Sequence, residues 1–250
     1  MREENCSFVN RHGQALSGVL HHPHAAPPQG GVIVCHGMES NKESDKLVLL
    51  SRELARRNLL ALRFDFACAV ESGRFEEITY RGEVEDLQAA FLFMRHRHTG
   101  KIAILGSSMG GTVALLFAAS HGSVATVVTV AAPVHPERFA SRLLTPAQVQ
   151  EWRKTGYTIY HGQRINVSLL DELEKINVPE AVRSIDCPVL ILHGDSDDVV
   201  PVAEAHELYG CLPAPKRLLL LKGADHRLSD PASMNQAIAE AIAWLCEHVR

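Results

Sequence analysis

The chain alternates short apolar runs with longer stretches of helical periodicity, and this alternation limits the folds open to it. Six runs are almost continuously apolar, which is the pattern of strands covered on both faces of a parallel sheet. They are residues 31–35, 59–66, 101–105, 124–131, 188–193 and 217–221. Because helical patterns separate these runs, we predict an α/β fold whose central sheet is mostly parallel and is flanked by helices.

Other segments fit the same plan. Residues 82–98 and 234–245 carry apolar side chains at helical spacing, so both are predicted to be amphipathic helices packed on the sheet. Residues 8–20 are predicted to form a hairpin that closes around Gly13. These elements place one hairpin before the parallel part of the sheet.

The length of 250 residues suits one sizeable core, and we expect a single domain over residues 1–250. Residues 134–184 interrupt the alternation, because this stretch is long, mixed in polarity and dotted with aromatic residues. We interpret it as a cap inserted after the strand at 124–131. The alternative is a pair of ordinary crossover helices whose aromatic side chains face the core.

Composition limits the partners of the chain. A net charge of −4 gives no bulk attraction to nucleic acid or to an anionic membrane. Six scattered cysteines without a C-x-x-C pair are typical of reduced thiols, and no apolar run reaches the roughly 18 residues that span a bilayer. We therefore expect a cytoplasmic protein with no nucleic-acid or membrane partner. The oligomeric state stays open, with a homodimer among the allowed states.

The motif with the most chemical content is G-x-S-x-G, formed by residues 106–110. It follows an apolar run and precedes a segment of helix-forming residues, which is the strand-turn-helix setting of a nucleophilic serine. The motif predicts that Ser108 is the nucleophile. A glycine-rich turn can also hold an anion at a helix N-terminus, but such turns usually carry a Lys-Ser/Thr pair or G-x-G-x-x-G, which this one lacks.

A serine hydroxyl needs a base and an acid to become a nucleophile near neutral pH. His226 lies in a polar loop directly after the last strand, and it is the predicted base. The acid is predicted to be Asp197, which falls at the aspartate of an H-G-x-x-D-x-x-V-P segment after the preceding strand. The rivals Asp195 and Asp198 suit turn or helix caps, and Asp225 adjoins His226 too closely to approach its ring squarely.

Two other groups of histidines are assigned no chemistry. His36 precedes the serine and adjoins a glycine, so we expect it to support its loop. His21, His22 and His24 lie in a proline-broken turn without a cysteine or carboxylate partner, which is a poor set of metal ligands. We predict no metal site.

Several motifs together resemble the serine-hydrolase branch of the α/β-hydrolase superfamily. They are Cys35-His36-Gly37-Met38 with Lys42, the run Arg63-Phe64-Asp65-Phe66, the turn at Ser108, the Asp197 segment and His226. The chain is most similar to the small cinnamoyl (feruloyl) esterases and related carboxylesterases. The resemblance implies no cofactor, a short cap after the sixth strand, and an oxyanion hole made by the backbone N–H groups of Met38 and Met109.

The chain departs from that family after Phe66, where residues 67–73 lack the usual glycine-containing H-G or G-x-G turn. Because this loop often borders the active-site entrance in the family, substrate preference cannot be carried over. The aromatic residues of the 134–184 stretch favour an apolar or aromatic acyl group, with Trp152 and Tyr160 as candidate substrate-binding residues.

The sequence thus predicts a serine carboxylesterase acting on a small-molecule ester, such as an aromatic or short-chain acyl ester. Two alternatives remain. One is a thioesterase or peptidase-like acyl hydrolase of the same fold, since the G-x-S-x-G turn does not distinguish these activities. The other is a non-catalytic ligand-binding relative, because one fold serves many functions.

Overall fold

The apolar runs pair into one large sheet. The computed structural model describes residues 1–25, 27–213 and 215–249, and the strands below are those within these ranges. They are β1 (Arg2–Val9), β2 (Ala15–His22), β3 (Gly30–Cys35), β4 (Leu59–Phe64), β5 (Ile102–Ser107), β6 (Val127–Val130), β7 (Tyr157–Tyr160), β8 (Gln163–Asn166), β9 (Val189–Gly194) and β10 (Lys216–Leu221).

In the described ranges, eight of these strands form the central sheet in the order β1-β2-β4-β3-β5-β6-β9-β10. The strands from β4 to β10 in this order are mutually parallel, whereas β1 and β2 are antiparallel to each other and β2 is antiparallel to β4. The predicted α/β fold is confirmed. The hairpin is longer than predicted, because its pairing runs from Arg2 opposite His22 to Val9 opposite Ala15.

Helices cover both faces of the sheet. They are α1 (Asp45–Arg56), α2 (Tyr80–Arg97), α3 (Met109–Ser120), α4 (Phe139–Leu143), α5 (Pro146–Thr155), α6 (Val167–Leu173), α7 (Val178–Ala181), α8 (Val202–Cys211) and α9 (Pro231–His248). Helices α1 and α9 share one apolar cluster with the sheet, and α2, α3 and α8 share another. The central strands are therefore buried on both faces, which accounts for their near-continuous apolar sequence.

Local sequence sets the ends of the two predicted long helices. The Thr79 side chain accepts a hydrogen bond from the Gly82 N–H and caps α2, so this helix begins two residues before the predicted start. Asp230 caps α9 in the same way through the Ser233 N–H, with Pro231 in the first turn. Both helices end near charged or histidine residues that suit a helix C-terminus.

Residues 134–184 lie between β6 and β9 and contain α4 to α7 together with the antiparallel hairpin β7–β8. Glu204 of α8 is buried and anchors the start of this segment. Its carboxylate accepts hydrogen bonds from the N–H groups of Val134 and His135 and pairs with the Arg142 guanidinium. The segment is therefore fixed to helix α8 at its first residues.

All six cysteines carry free thiols. Among the helices of the described residues, none combines the length and apolar character needed to cross a membrane.

Candidate active site

Ser108 occupies a sharp turn between the end of β5 and the start of α3. Its backbone lies in the left-handed region, with φ 50° and ψ −124°, which a serine rarely adopts. Two glycines make this turn possible, because a Cβ on Gly106 would overlap the Gly110 carbonyl and a Cβ on Gly110 would overlap the His36 carbonyl. The G-x-S-x-G spacing therefore reflects close backbone packing around the serine.

The predicted base and acid meet the serine at the carboxyl end of the sheet. His226 Nε2 lies 3.1 Å from Ser108 Oγ, and His226 Nδ1 lies 2.9 Å from Asp197 Oδ2. Because a carboxylate only accepts hydrogen bonds, we assign the ring proton to Nδ1, which leaves Nε2 to accept the serine proton. The three residues form one hydrogen-bonded chain.

Asp197 is held in a fixed orientation. Its Oδ1 accepts hydrogen bonds from the N–H groups of Val199 and Val200, and its Oδ2 receives His226. Burial alone would raise the pKa of Asp197, but hydrogen bonds from His193, His226 and the Val200 N–H hold that pKa well below its usual range. The carboxylate is therefore ionised and can orient the imidazole.

His193, the histidine at the next-to-last position of β9, supports the acid and was not predicted from the sequence. Its Nε2 lies 2.8 Å from the Val200 carbonyl oxygen and 3.3 Å from Asp197 Oδ2. The side chain is buried, and both neighbours are acceptors, so Nε2 carries the proton. The histidine in the H-G-x-x-D-x-x-V-P segment was the available signal, because it stands four residues before the acid.

The rival aspartates have other partners. Asp195 Oδ1 accepts a hydrogen bond from the Gly223 N–H and so ties the loop after β9 to the loop after β10. Asp225 Oδ1 accepts one from the Ser229 N–H within the His226 loop. Asp198 lies on the cavity wall described below. Asp195 and Asp225 thus stabilise the loops that carry Asp197 and His226.

The predicted oxyanion donors lie beside the serine. A Cβ on Gly37 would be 3.2 Å from Ser108 Cβ, so the loop that carries Met38 packs directly against the nucleophile. Met38 and Met109 both line the cavity, and among the turn, loop and cap hydrogen bonds of the described residues neither of their N–H groups donates to a backbone carbonyl. The two amides therefore stay the candidate oxyanion donors.

His36 supports this loop, as its place in the sequence predicted. Its ring is buried, Nδ1 lies 2.8 Å from the Gly37 carbonyl oxygen, and Nε2 accepts a hydrogen bond from the Phe66 N–H. Burial lowers the pKa of His36, which keeps the ring neutral and able to accept that bond.

The remaining motif residues continue the same support. Lys42 donates two hydrogen bonds to the Asp65 carboxylate, one from its backbone N–H and one from its ammonium group, and each donor–acceptor distance is 2.6 Å. Arg63 donates to the Lys42 carbonyl oxygen and to His21. His21 is thus part of a buried hydrogen-bonded pair. Across the described residues, no group of three His, Cys, Asp or Glu side chains is arranged to hold a metal ion.

Ser108 and His226 open into a cavity of about 840 Å³, whereas the Asp197 side chain is fully buried and does not line it. Tyr160, Phe139 and Arg142 line it on the side of the 134–184 segment. Trp152 does not line it and is only 1% exposed, so its predicted contact with substrate is wrong. Its indole belongs to the large apolar cluster beneath the segment, where burying a big aromatic surface stabilises the fold.

A second missed residue, Glu39, joins two sides of the cavity mouth. Its Oε1 accepts a 2.7 Å hydrogen bond from His161 at the tip of the β7–β8 hairpin, and its Oε2 lies 4.0 Å from Arg227. The loop at 67–73, which departs from the esterase pattern, contributes nothing to this cavity wall. The cavity wall therefore includes the 134–184 segment and the loop after β3 but none of residues 67–73.

Comparisons with known proteins identify relatives of similar sequence. The uncharacterized protein YqkD of Bacillus subtilis is 26% identical over 234 residues, covering 90% of this chain and 74% of YqkD. The mitochondrial palmitoyl-protein thioesterase ABHD10 of mouse is 25% identical over 228 residues, covering 83% of this chain and 72% of that enzyme. Both matches extend over most of each protein.

Two solved structures share the fold. The esterase domain of a Rhodothermus marinus protein superposes with a TM-score of 0.79 and 27% identity, covering 100% of both chains. Est1E of Butyrivibrio proteoclasticus, solved with ferulic acid bound, superposes with a TM-score of 0.85 and 19% identity, covering 98% of this chain and 99% of its own. The resemblance to α/β-hydrolase esterases is confirmed.

A sequence model of the prolyl oligopeptidase family matches residues 78–250, a range that includes Ser108, Asp197 and His226. Since this match covers more than half of the chain, the protein belongs to the prolyl oligopeptidase family and is a hydrolase of the serine α/β-hydrolase type.

Proposed function

We propose that this protein is a serine carboxylesterase that cleaves small-molecule esters through an acyl-enzyme on Ser108. The observation that carries the proposal is the hydrogen-bonded chain from Asp197 through His226 to Ser108 Oγ, which ends beside the two candidate amides of Met38 and Met109. A nucleophile, an oriented base and two donors near one point are what acyl transfer requires.

In the first half of the reaction, Ser108 Oγ attacks the ester carbonyl carbon while His226 Nε2 takes the hydroxyl proton. The carbonyl electron pair moves onto oxygen, and the N–H groups of Met38 and Met109 stabilise that charge. Asp197 stabilises the imidazolium through Nδ1. As the tetrahedral intermediate collapses, the bond to the alcohol oxygen breaks and His226 returns the proton to the leaving alcohol.

Water completes the cycle. It enters beside His226, gives a proton to Nε2 and attacks the acyl carbon, and the same two amides stabilise the second oxyanion. The bond to Ser108 Oγ then breaks, His226 returns the proton to the serine, and the carboxylic acid leaves. No cofactor is needed for these steps.

We further propose that residues 134–184 act as a cap over one side of the site. Tyr160 and Phe139 pack edge to face with ring centres 5.3 Å apart on the cavity wall. A ring from the substrate fits such a wall, since aromatic groups prefer offset or edge contacts. Est1E, a relative in fold, binds ferulic acid, which supports an aromatic ester as one substrate class.

The test is hydrolysis of a p-nitrophenyl ester by the purified protein. We expect turnover by the native protein and by Ser123→Ala, which removes an exposed serine in the loop after α3. In Ser108→Ala we expect kcat to fall by at least about 10³-fold. Equal rates in Ser108→Ala and the native protein would refute the nucleophile. Labelling by a fluorophosphonate separates an enzyme from a non-catalytic binding protein, because only an activated serine reacts.

A thioesterase or peptidase-like acyl hydrolase is the second candidate. The thioesterase activity in the name of the mouse relative and the peptidase family favour it. The two candidates are distinguished by measuring kcat/KM for the same acyl group presented as an ester, as a thioester and as an anilide. A kcat/KM higher for the thioester or the anilide than for the ester would replace the carboxylesterase proposal.

A further inference from the structure

The active-site cavity extends to the face of the sheet that carries α1 and α9. There its wall is built from aliphatic side chains of these two helices and of the loop after His226. These residues are Leu47, Leu50, Leu228, Ala237, Ile238 and Ala241. We call this part of the cavity the aliphatic arm.

The aliphatic arm differs in chemistry from the wall under the 134–184 segment. That opposite wall carries Tyr80, Phe139, Tyr160 and the charged Arg142. The aliphatic arm has no aromatic ring among its six residues, and the adjoining cavity residue of α1, Lys46, adds an apolar stem below its ammonium group. The two walls therefore suit different parts of one substrate.

Small side chains on α9 leave room for a ligand in the aliphatic arm. Ala237 and Ala241 are four residues apart, so they lie on the same helix face, and both are buried in the cluster that contains Leu47 and Leu50. A leucine at either position would extend into this space. Because aliphatic walls offer water few hydrogen-bond partners, an apolar group is the favoured occupant.

The size of the cavity points the same way. A volume of about 840 Å³ is near the upper end of the roughly 300–1,000 Å³ range of ligand cavities. A short acyl ester at Ser108 would leave much of it unfilled. Because the six side chains of the arm are aliphatic, they offer apolar contact to an alkyl chain but none of the edge or offset ring contacts that favour a second aromatic group.

We propose that the aliphatic arm binds a linear alkyl chain of the substrate, so that the preferred ester carries a medium-length chain beside Ser108. The proposal rests on the proposed esterase function. Each methylene buried in the arm favours the transition state over the free substrate, and it raises kcat/KM by about fourfold until the arm is full.

The experiment compares two substrate series in the full chain. One is p-nitrophenyl esters from acetate to dodecanoate, and the other is acetate esters of linear alcohols from ethanol to decanol. We expect kcat/KM to rise with chain length in at least one series. Ala241→Leu should lower the octanoyl-to-acetyl or octyl-to-ethyl ratio by about tenfold or more, because it adds three carbon atoms to the arm.

Ala239→Leu is the matched control, since Ala239 is exposed on the same helix and should leave both ratios unchanged. Leu50→Ala tests the opposite change. It enlarges the arm, so the optimal chain should become longer. Unchanged chain-length profiles in both Ala241→Leu and Leu50→Ala would overturn the proposal even if short esters are hydrolysed.

A binding measurement separates this proposal from the esterase proposal. Titration calorimetry with decanol uses the Ser108→Ala protein, with and without Ala241→Leu. We expect weaker decanol binding when Ala241→Leu is present. Weaker decanol binding in that variant, together with no hydrolysis of any ester by the native protein, would refute the esterase proposal but support alkyl-chain binding by the aliphatic arm. Equal decanol affinity with and without Ala241→Leu would refute binding by the arm.

Discussion

Gly110 packs so closely against His36 that a Cβ on the glycine would overlap the His36 carbonyl oxygen and lie 2.9 Å from the Cys35 carbonyl oxygen. We predict that Gly110→Ala lowers the free energy of unfolding by about 1–3 kcal/mol, because the end of β3 must shift to admit the methyl group. The shift also moves the Met38 loop, so esterase kcat should fall. Urea denaturation and kinetics measure the two effects.

Gly210→Ala is the control for this change. Gly210 lies in α8, where a Cβ would meet nothing within 4 Å. Alanine has the higher helix propensity, so this variant should be more stable by up to about 1 kcal/mol and fully active. Similar destabilisation in both variants would contradict the close-packing argument.

Asp197→Asn should lower kcat by about 10⁴-fold with little change in fold, because an amide facing His226 favours the wrong imidazole tautomer. Asp171→Asn, an exposed position, should keep full activity. Near-native kcat in Asp197→Asn, with an unchanged circular dichroism spectrum, would show that the carboxylate does not orient His226.

The same aspartate predicts a pH effect on stability. Its pKa is lower in the folded than in the unfolded protein, where it is about 3.9, so its ionised form stabilises the fold above that pH. This contribution is lost as the pH falls toward the folded pKa. The difference in unfolding free energy between the native protein and Asp197→Asn should therefore shrink below about pH 4.

Two glutamates on α8 should contribute unequally to the free energy of unfolding. Glu204 is 2% exposed and holds Val134, His135 and Arg142, so Glu204→Gln should cost about 2 kcal/mol of stability. Glu207 forms an exposed pair with His135, and Glu207→Gln should cost less than about 1 kcal/mol. Urea denaturation at pH 7 compares them, and equal losses would contradict the anchoring role of Glu204.

Glu83 of α2 is buried, and its Oε2 has no hydrogen-bond partner among the described residues. Burial raises the pKa of Glu83 well above its ordinary value, and the nearby charge of Asp86 adds to the rise. Folding therefore takes up a proton above about pH 4.3, and the native protein loses stability as the pH rises. The stability of Glu83→Gln relative to the native protein should increase between pH 4.5 and pH 8, which denaturation curves at each pH would detect.

Trp152 and Tyr160 provide a contrast within the 134–184 segment. Trp152→Ala removes a buried indole and should lower stability by about 3–5 kcal/mol. Tyr160→Ala opens the cavity wall and should raise KM for aromatic esters several-fold while costing less stability. A larger KM change in Trp152→Ala than in Tyr160→Ala would contradict these assignments.

The strands of the parallel sheet were predictable because burial on both faces requires continuous apolar sequence. Helix α1 was not identified, because the apolar residues Val48 and Leu49 lie between its buried positions Leu47 and Leu50 and obscure the helical spacing. The β7–β8 hairpin was also missed, because its half-exposed strands have only four residues each. Short elements contain too few residues for a reliable periodicity.

The candidate site was predictable to the extent that its chemistry restricts residue types. The turn at Ser108 needs glycines at fixed spacing, and the acid and base follow strand ends in a fixed order. Whether Trp152 faces the core or the cavity depends on how α5 packs, which aromatic composition does not determine. Glu39 acts through a neighbour distant in sequence, so a single-sequence pattern gave it no role. His193 lies only four residues before Asp197, but its role depends on how its ring packs against that carboxylate.

Ser108 and His226 are 118 positions apart in the chain, yet their side chains are joined by one hydrogen bond. That bond can form only after β5, β6, β9 and β10 have paired, and parallel pairing of distant segments is a slow event in folding. Recovery of esterase turnover during refolding would therefore follow the pairing of the last of these strands. The rate at which activity returns would then report when the native topology is complete.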